Sequence, residues 1–301
     1  MSLQYGPPVS TDGNDGQLNF ELKKRYAQSP FAVVDEGSQV DARLGRDLLS
    51  RSDRALIFSD SIQLPPIDGS APFFSLKKFP NWIKLTEIHR QALDSPVLRL
   101  ATDIREGRCI RCWDDYNIAA LLAADVIICA THGTRRQHNA VIRKHRYGRT
   151  WQRKHLAPIV GERVICMRSD HANKIWNGSC WEVTKSTVHG DFVTLELFGE
   201  LDGERRAMVP LSCFEKDIKP SEAYEVPQQA TAMTWGYTLT AHKSQGSEWE
   251  HVAVLDETAD YLMAFFANGR LSPERFRLVY RYVAVSRARS KVSLIEFGGP
   301  R

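Results

Sequence analysis

Five apolar runs dominate the chain: FAVV at 31–34, RALIFS at 54–59, DVIICAT at 125–131, HVAVLD at 251–256 and VSLIEF at 292–297. Each has strand length and no polar alternation, which is the pattern of strands buried on both faces of a parallel sheet. Helix-patterned segments lie between them, such as Val40, Leu44, Leu48 and Leu49 after the first run, or GTRRQHNAVIRKHRYG after the third. Alternating strands and helices predict an α/β fold. Residues 158–216 break that rhythm. There VGERVICMRSD, GSCWEVTKS, GDFVTLELFG and RRAMVPL are short β-patterned runs separated by Asn-Gly, His-Gly-Asp and Asp-Gly turns. The reading is a small β-barrel inserted into the second of two α/β units.

The runs WIKLTEI at 82–88 and MTWGYTLT at 233–240 are expected as two further strands. SPVLRLATDIREG is expected as a helix with Ser95 at its start, Pro96 in its first turn and Gly107 at its end. The first dozen residues are expected to fray.

Composition sets wider limits. At 301 residues the chain is longer than one hydrophobic core usually supports, and 43% hydrophobic content can fill two or more units. A net charge of +4, from 40 basic and 36 acidic residues, permits a polyanionic partner without requiring one. The N-terminus lacks a secretory pattern, and no apolar run approaches the roughly 20 residues needed to span a bilayer, so a cytoplasmic protein without membrane contact is expected. Cysteines 109, 112, 129, 166, 180 and 213 form no regular framework. Cys109 and Cys112 have no second pair at zinc spacing, so no zinc or other tightly bound metal is expected.

The chemistry-bearing residues stand where open α/β sheets bind ligands, beyond strand C-terminal ends. VVDEGSQVD ends a strand with Asp35 and Glu36. An aspartate there can hold Mg²⁺ through water, and a neighbouring glutamate can polarise an attacking water. Taken alone, Asp-Glu after a strand is also ordinary surface chemistry. SDSIQLPPI places Gln63 beyond the second strand, where a neutral amide can touch both a γ-phosphate and that water. Arg90, in LTEIHRQ, and Arg287, in YVAVSRARSKV, are candidates for stabilising charge on transferring phosphoryl oxygens. Either could equally be part of an ion pair.

LTAHKSQGSEWEHV supplies Thr240, His242, Lys243 and Ser244 with Gly246, suiting close backbone approach to a phosphate at the start of a helix. Glu248 is expected to face the nucleotide or to orient the arginines. Thr131, His132, Arg135 and Arg136, in THGTRR, could contact a nucleic-acid backbone, although a solvated helix face explains the arginines as well. Trp176, Trp181 and Phe192 could stack bases, but a barrel this small needs aromatics in its core, and core is the expectation.

In this order the motifs resemble those of superfamily 1 DNA helicases of the RecD-like and Dda-like branch, from about residue 18 to residue 298. The resemblance implies two RecA-like, P-loop NTPase-type domains with ATP and Mg²⁺ between them, an inserted SH3-like barrel, and 5′ to 3′ movement on single-stranded DNA. The implied organisation is an incomplete domain 1A over 1–107, domain 2A over 108–157 and 217–301, and the barrel, 2B, over 158–216. Asp35 and Glu36 match the Mg²⁺ and general-base pair, Gln63 the γ-phosphate sensor, Arg90 and Arg287 the arginine fingers, and HKSQGSE the DNA-coupling motif. Gly246, Glu248 and Arg287 form the implied nucleotide contacts.

Two features depart from that pattern. The family's GDxxQ begins here with Ser59, and no G-x-x-x-x-G-K-[ST] loop occurs anywhere in the chain. ATP turnover is therefore expected to need a phosphate-loop segment supplied separately. The alternatives are a non-hydrolysing module that binds single-stranded DNA or a protein, and an accessory subunit of a nuclease–helicase complex.

Overall fold

The computed structural model describes residues 5–9, 19–22, 29–66, 70–85, 95–108, 116–150, 152, 155–200, 202–257 and 272–297. Arg90, Cys109 and Cys112 lie outside the described residues. Instead of fraying, the opening segment contains β1 (Tyr5–Val9) and β2 (Asn19–Leu22), paired antiparallel.

A first small unit is built on β3 (Ala32–Val34) and β4 (Ala55–Ile57), which pair in parallel with Ala32 opposite Ala55 and Val34 opposite Ile57. The connection between them is α1 (Ala42–Leu49), started by Asp41, whose carboxylate accepts from the Leu44 N–H at 2.8 Å. Leu44 and Leu48 fall one helical turn apart and pack with Ile57 on a core of Val34, Val40 and Phe73. Because strand side chains alternate, the opposite face of this two-stranded sheet carries Val33 and Leu56, which are 61% and 46% exposed.

The larger unit is centred on a four-stranded parallel sheet in the order β11-β5-β12-β13, made of β5 (Val126–Cys129), β11 (Thr238–Thr240), β12 (Trp249–Asp256) and β13 (Ala288–Glu296). All four side chains of β5 are buried, as the unbroken apolar run predicts. Helices α3 (Ile118–Ala123), α4 (His132–Tyr147) and α7 (Pro273–Val285) pack around this sheet. So does α2 (Pro96–Arg105), whose Val97, Ala101 and Ile104 join the same core and which lies against α7 and β13. This departs from the expected boundary at 107. Gly107, at φ 72°, follows the helix end rather than separating two domains.

The β-patterned segment forms a five-stranded antiparallel sheet, β10-β6-β7-β8-β9. Its strands are β6 (Arg163–Cys166), β7 (Cys180–His189), β8 (Phe192–Gly199), β9 (Gly203–Pro210) and β10 (Met233–Trp235). Helix α5 (Leu211–Lys216) follows β9. Val183, Val193, Leu195, Leu197 and Val209 are buried on one face with Trp181.

MTWGYTLT, expected as one strand, is split at Gly236. β10 pairs with β6, while β11, three residues on, pairs with β5. A Cβ at Gly236 would sit 3.1 Å from the Val164 carbonyl carbon, so a larger residue would crowd the Val164 backbone where the chain passes between the two sheets. The antiparallel sheet thereby extends beyond residue 216. WIKLTEI is also corrected: residues 82–85 form no strand, and Ile83 is 86% exposed. Residues 86–88 lie outside the described set.

Candidate functional site

The loops after the strands touch one another in sequence, and side chains make the links. Gly37 fits where a Cβ would lie 2.7 Å from Ile57 Cγ2 and 3.0 Å from the Phe58 carbonyl oxygen, so the turn after β3 is pressed against β4. Glu36 adopts the left-handed conformation, φ 53° and ψ 40°, and the exposed Asp35 carboxylate accepts from the Glu36 N–H at 2.9 Å. The next side chain, Ser38, is buried and donates to Gln63 Oε1 at 2.9 Å. DEGS and SIQLPP are thus one hydrogen-bonded unit. Ser59, in the position where glycine was expected, donates to the Phe73 carbonyl.

Two residues beyond Gln63, the Pro65 carbonyl lies near the imidazole of His242 and favours its charged form. His242 stands in α6 (Ala241–Ser244), a single turn that begins at Thr240, whose hydroxyl accepts from the Lys243 N–H at 3.4 Å. Lys243 reaches the side-chain oxygen of Asn177 in the antiparallel sheet's 170s loop. Burial pushes the Lys243 ammonium below, and the His242 imidazolium below, their ordinary values. The remainder of the motif is held by Arg287, which donates to the carbonyls of Val283 at 3.2 Å and Ser247 at 3.4 Å, and to Ser286 Oγ at 2.9 Å. Gly246 sits at φ 81° with open space around its Cα, so it is required by backbone conformation rather than by close approach. Glu248 pairs with Arg289 at 3.6 Å.

The turn between β5 and α4 is organised by a residue that sequence reading overlooked. Glu257, just beyond β12, is buried and accepts from the backbone N–H of Ala130 and, at 3.1 Å, of Thr131. It also accepts from the hydroxyls of Thr131, at 3.2 Å, and Thr134. A carboxylate at the N-terminus of a helix is stabilised by free N–H groups and the helix dipole. Burial alone pushes the Glu257 carboxyl up, and those four donors pull it back.

Several sequence expectations change here. Arg135 is buried, not DNA-facing: it pairs with Asp217 at 3.0 Å and donates to the carbonyls of Asp217 at 2.5 Å and Ile218 at 3.0 Å. Arg136, one residue on, is exposed. Neither is Arg143 on a solvated face, because it donates to Glu162 Oε1 at 2.7 Å and Oε2 at 3.1 Å with its guanidinium 3.8 Å above the Trp235 ring. Ser244 is buried and donates to the Ala241 carbonyl, and Thr240 is nearly buried, so both build the turn instead of presenting hydroxyls to a ligand.

His132 is shifted to about 4, first by burial and then by Arg135, Lys219 and His242, so near neutrality it is a hydrogen-bonding group and not a cation. Its Nδ1, like Gln245 Nε2, is buried with no hydrogen-bond partner among the described residues. Trp181 is in the core as expected, whereas Trp176 is 46% exposed.

Among the described residues no three His, Cys, Asp or Glu side chains are arranged to hold a metal ion. A lone exposed carboxylate at Asp35 suits an ion held through water and a nucleotide, which needs no protein cage.

This constellation of loops can be compared with known proteins. Residues 236–295, which span β11 to β13, match the UvrD-like helicase C-terminal domain. That match, together with the relatives below, makes the chain similar to the C-terminal portion of superfamily 1 helicases of the RecD and Pif1 kind. The matched stretch includes His242, Lys243 and Arg287, and so contains the turn and the strand–helix junction just described. The chain is 25% identical over 246 residues to the ATP-dependent RecD2 DNA helicase of Deinococcus radiodurans, a match covering 72% of this chain and 31% of that protein.

In fold it is similar to the Pif1 helicase from Bacteroides in complex with ADP-AlF3 and ssDNA, with a TM-score of 0.54, 16% identity, and coverage of 98% of this chain and 78% of that one. It is also similar to Pif1 helicase from Candida albicans, with a TM-score of 0.50, 16% identity, and coverage of 89% and 72%. The mixed α/β fold is thus similar to that of the RecA-like domains in these helicase structures. No helix of the described residues is long and apolar enough to cross a membrane.

Proposed function

We propose that these residues are the part of a DNA helicase that couples nucleotide state to movement along single-stranded DNA. The observation that carries this reading is the pair of hydrogen bonds Ser38–Gln63 and Lys243–Asn177, with the Pro65 carbonyl near His242 between them, which brings together the Asp35–Glu36 turn, the Gln63 loop, the HKSQGSE turn and the antiparallel sheet. In this reading the antiparallel sheet is the SH3-like barrel 2B, the parallel sheet is the core of domain 2A, and β3 and β4 are part of domain 1A.

Asp35 would hold Mg²⁺ through water, Glu36 would orient the attacking water, and Gln63 would sense the γ-phosphate. A bound ATP·Mg²⁺ would supply the phosphoryl group whose loss moves the loops. Arg287 already grips the Ser247 carbonyl, so a phosphate competing for its guanidinium would shift the HKSQGSE loop. Arg90 keeps the role of a second finger as a proposal on sequence grounds. His132, Arg136, His242 and Lys243 would meet the DNA backbone, on turns shaped by Thr131, Thr240 and Ser244.

Turnover needs a phosphate loop, which these residues do not contain. We place it in a separate N-terminal segment or a partner subunit. The test of DNA binding is the affinity of the chain for a labelled dT oligomer across a salt series. Affinity that falls as salt rises is expected, because each neutralised phosphate of a single strand contributes a slope of about −0.7 in log K against log salt. Binding unchanged between low and high salt would contradict the reading.

A further inference from the structure

We propose that Trp176, paired with His171, is a stacking platform for one base of single-stranded DNA, on the loop whose next residue, Asn177, holds Lys243. This rests on the reading of HKSQGSE as a DNA-contacting motif and deepens it. The two rings meet edge to face, with centroids 5.5 Å apart and planes at 72°. Trp176 nevertheless stays 46% exposed, so much of its indole is open to a ligand.

The loop beneath is fixed on every side. Asp170 and Ile175 exchange backbone hydrogen bonds of 2.8 and 3.0 Å, and the Ile175 side chain is buried. Ser169 Oγ accepts from the Asn177 N–H at 3.0 Å, and the Trp176 carbonyl accepts from Ser179 N–H at 3.0 Å and Oγ at 2.6 Å. A platform whose backbone is already ordered loses little entropy when a ring stacks on it.

Charge selects the occupant. Asp170, the carboxylate in this loop, is consumed internally: it accepts from Asn173 N–H at 3.1 Å and Nδ2 at 2.8 Å, and from Thr231 Oγ1 at 2.6 Å. The other polar groups of this loop are then His171, which meets the indole, exposed Lys174, and Asn177, which holds the Lys243 ammonium. A flat π-face rimmed by basic and amide groups fits a base whose phosphodiester lies toward Lys243, and base stacking on an aromatic is tolerant of sequence.

The experiment compares the 301-residue chain, Trp176→Ala and Trp176→Phe for binding of a labelled dT oligomer, and of an abasic oligomer of equal length, across a salt series. Trp176→Ala is expected to lose about tenfold in dT affinity at every salt concentration with an unchanged salt slope, since stacking releases no counterions. Trp176→Phe is expected to recover most of the loss, and the abasic oligomer to bind the parent and Trp176→Ala equally. Undiminished dT binding by Trp176→Ala overturns the platform alone, as does an equal loss on the abasic oligomer. Failure of the parent chain to bind dT at low salt overturns the DNA-coupling reading and the platform with it.

Discussion

Ser38 Oγ lies 2.9 Å from Gln63 Oε1, so the turn after the first strand of the small unit and the loop after its second are joined by one partly buried hydrogen bond. Removing either partner leaves the other short of a hydrogen bond, at a cost of about 1 kcal/mol. Ser38→Ala and Gln63→Ala should each lower stability by that order. Their double-mutant cycle in denaturant should give a coupling of about 0.5–1.5 kcal/mol. Additive effects would mean that the two loops are not linked through this contact.

A second pair holds α4 to the antiparallel sheet. Arg143 and Glu162 are both buried, and Glu162 also accepts from the Tyr237 hydroxyl at 3.0 Å and the Ile159 N–H at 2.8 Å. Glu162→Ala leaves an uncompensated guanidinium and should destabilise by about 3–5 kcal/mol, seen as a drop in the urea midpoint. A loss below about 1 kcal/mol would contradict the pairing.

Arg135 and Arg136 are adjacent in sequence and opposite in use. Arg136→Ala should weaken dT-oligomer binding and lower the magnitude of the salt slope by about 0.7, with little change in stability. Arg135→Ala should instead cost stability by stranding Asp217, whose carboxylate also accepts from Asn139 at 2.9 Å and Thr234 at 2.7 Å. The reverse pattern would restore Arg135 as a DNA contact.

His132 ties stability to pH. Its folded value of about 4 lies below the ordinary 6.5, so between those limits the unfolded chain binds more protons. Its contribution is therefore full above pH 6.5 and declines as pH falls toward about 4. Arg135, Lys219 and His242 oppose the charge and Glu222 favours it. Urea midpoints for His132→Gln should fall less steeply over that window than the parent's, with His138 and His242, also lowered by burial, supplying the remaining slope. An identical pH profile would contradict the assignment.

How much of this was readable in the sequence depends on whether a signal is local. Apolar runs without polar alternation marked β5 and most of β12, where burial on both faces imposes that pattern, and also β13, although that edge strand is only partly buried. Asp-Glu after a strand occurs twice, and the letters alone do not separate the cases. Asp35 is exposed, whereas Glu257 is buried as a cap for α4 and Asp256 pairs with Arg281 at 2.5 Å. The difference lies in what packs above each strand end, 25 residues away in sequence for Asp256 and over a hundred for Glu257. Arg135 and Arg143 read as a basic helix face because Asp217 and Glu162, which bury them, stand in other elements. Helix α2 was found with its limits, but no feature of its own residues says which sheet it covers. At Gly236 the signal was present: an isolated glycine inside a strand pattern marks a close backbone approach, and here it divides two strands.

The central claim is that these residues hold the coupling loops of a motor without the cradle for its fuel. The most direct measurement is ATP turnover by the purified chain with and without single-stranded DNA, with Glu36→Gln as control. The account predicts no turnover above the control in either condition, alongside salt-sensitive DNA binding. DNA-stimulated turnover that Glu36→Gln abolishes would contradict it, and would mean that some other group in these 301 residues cradles the phosphates.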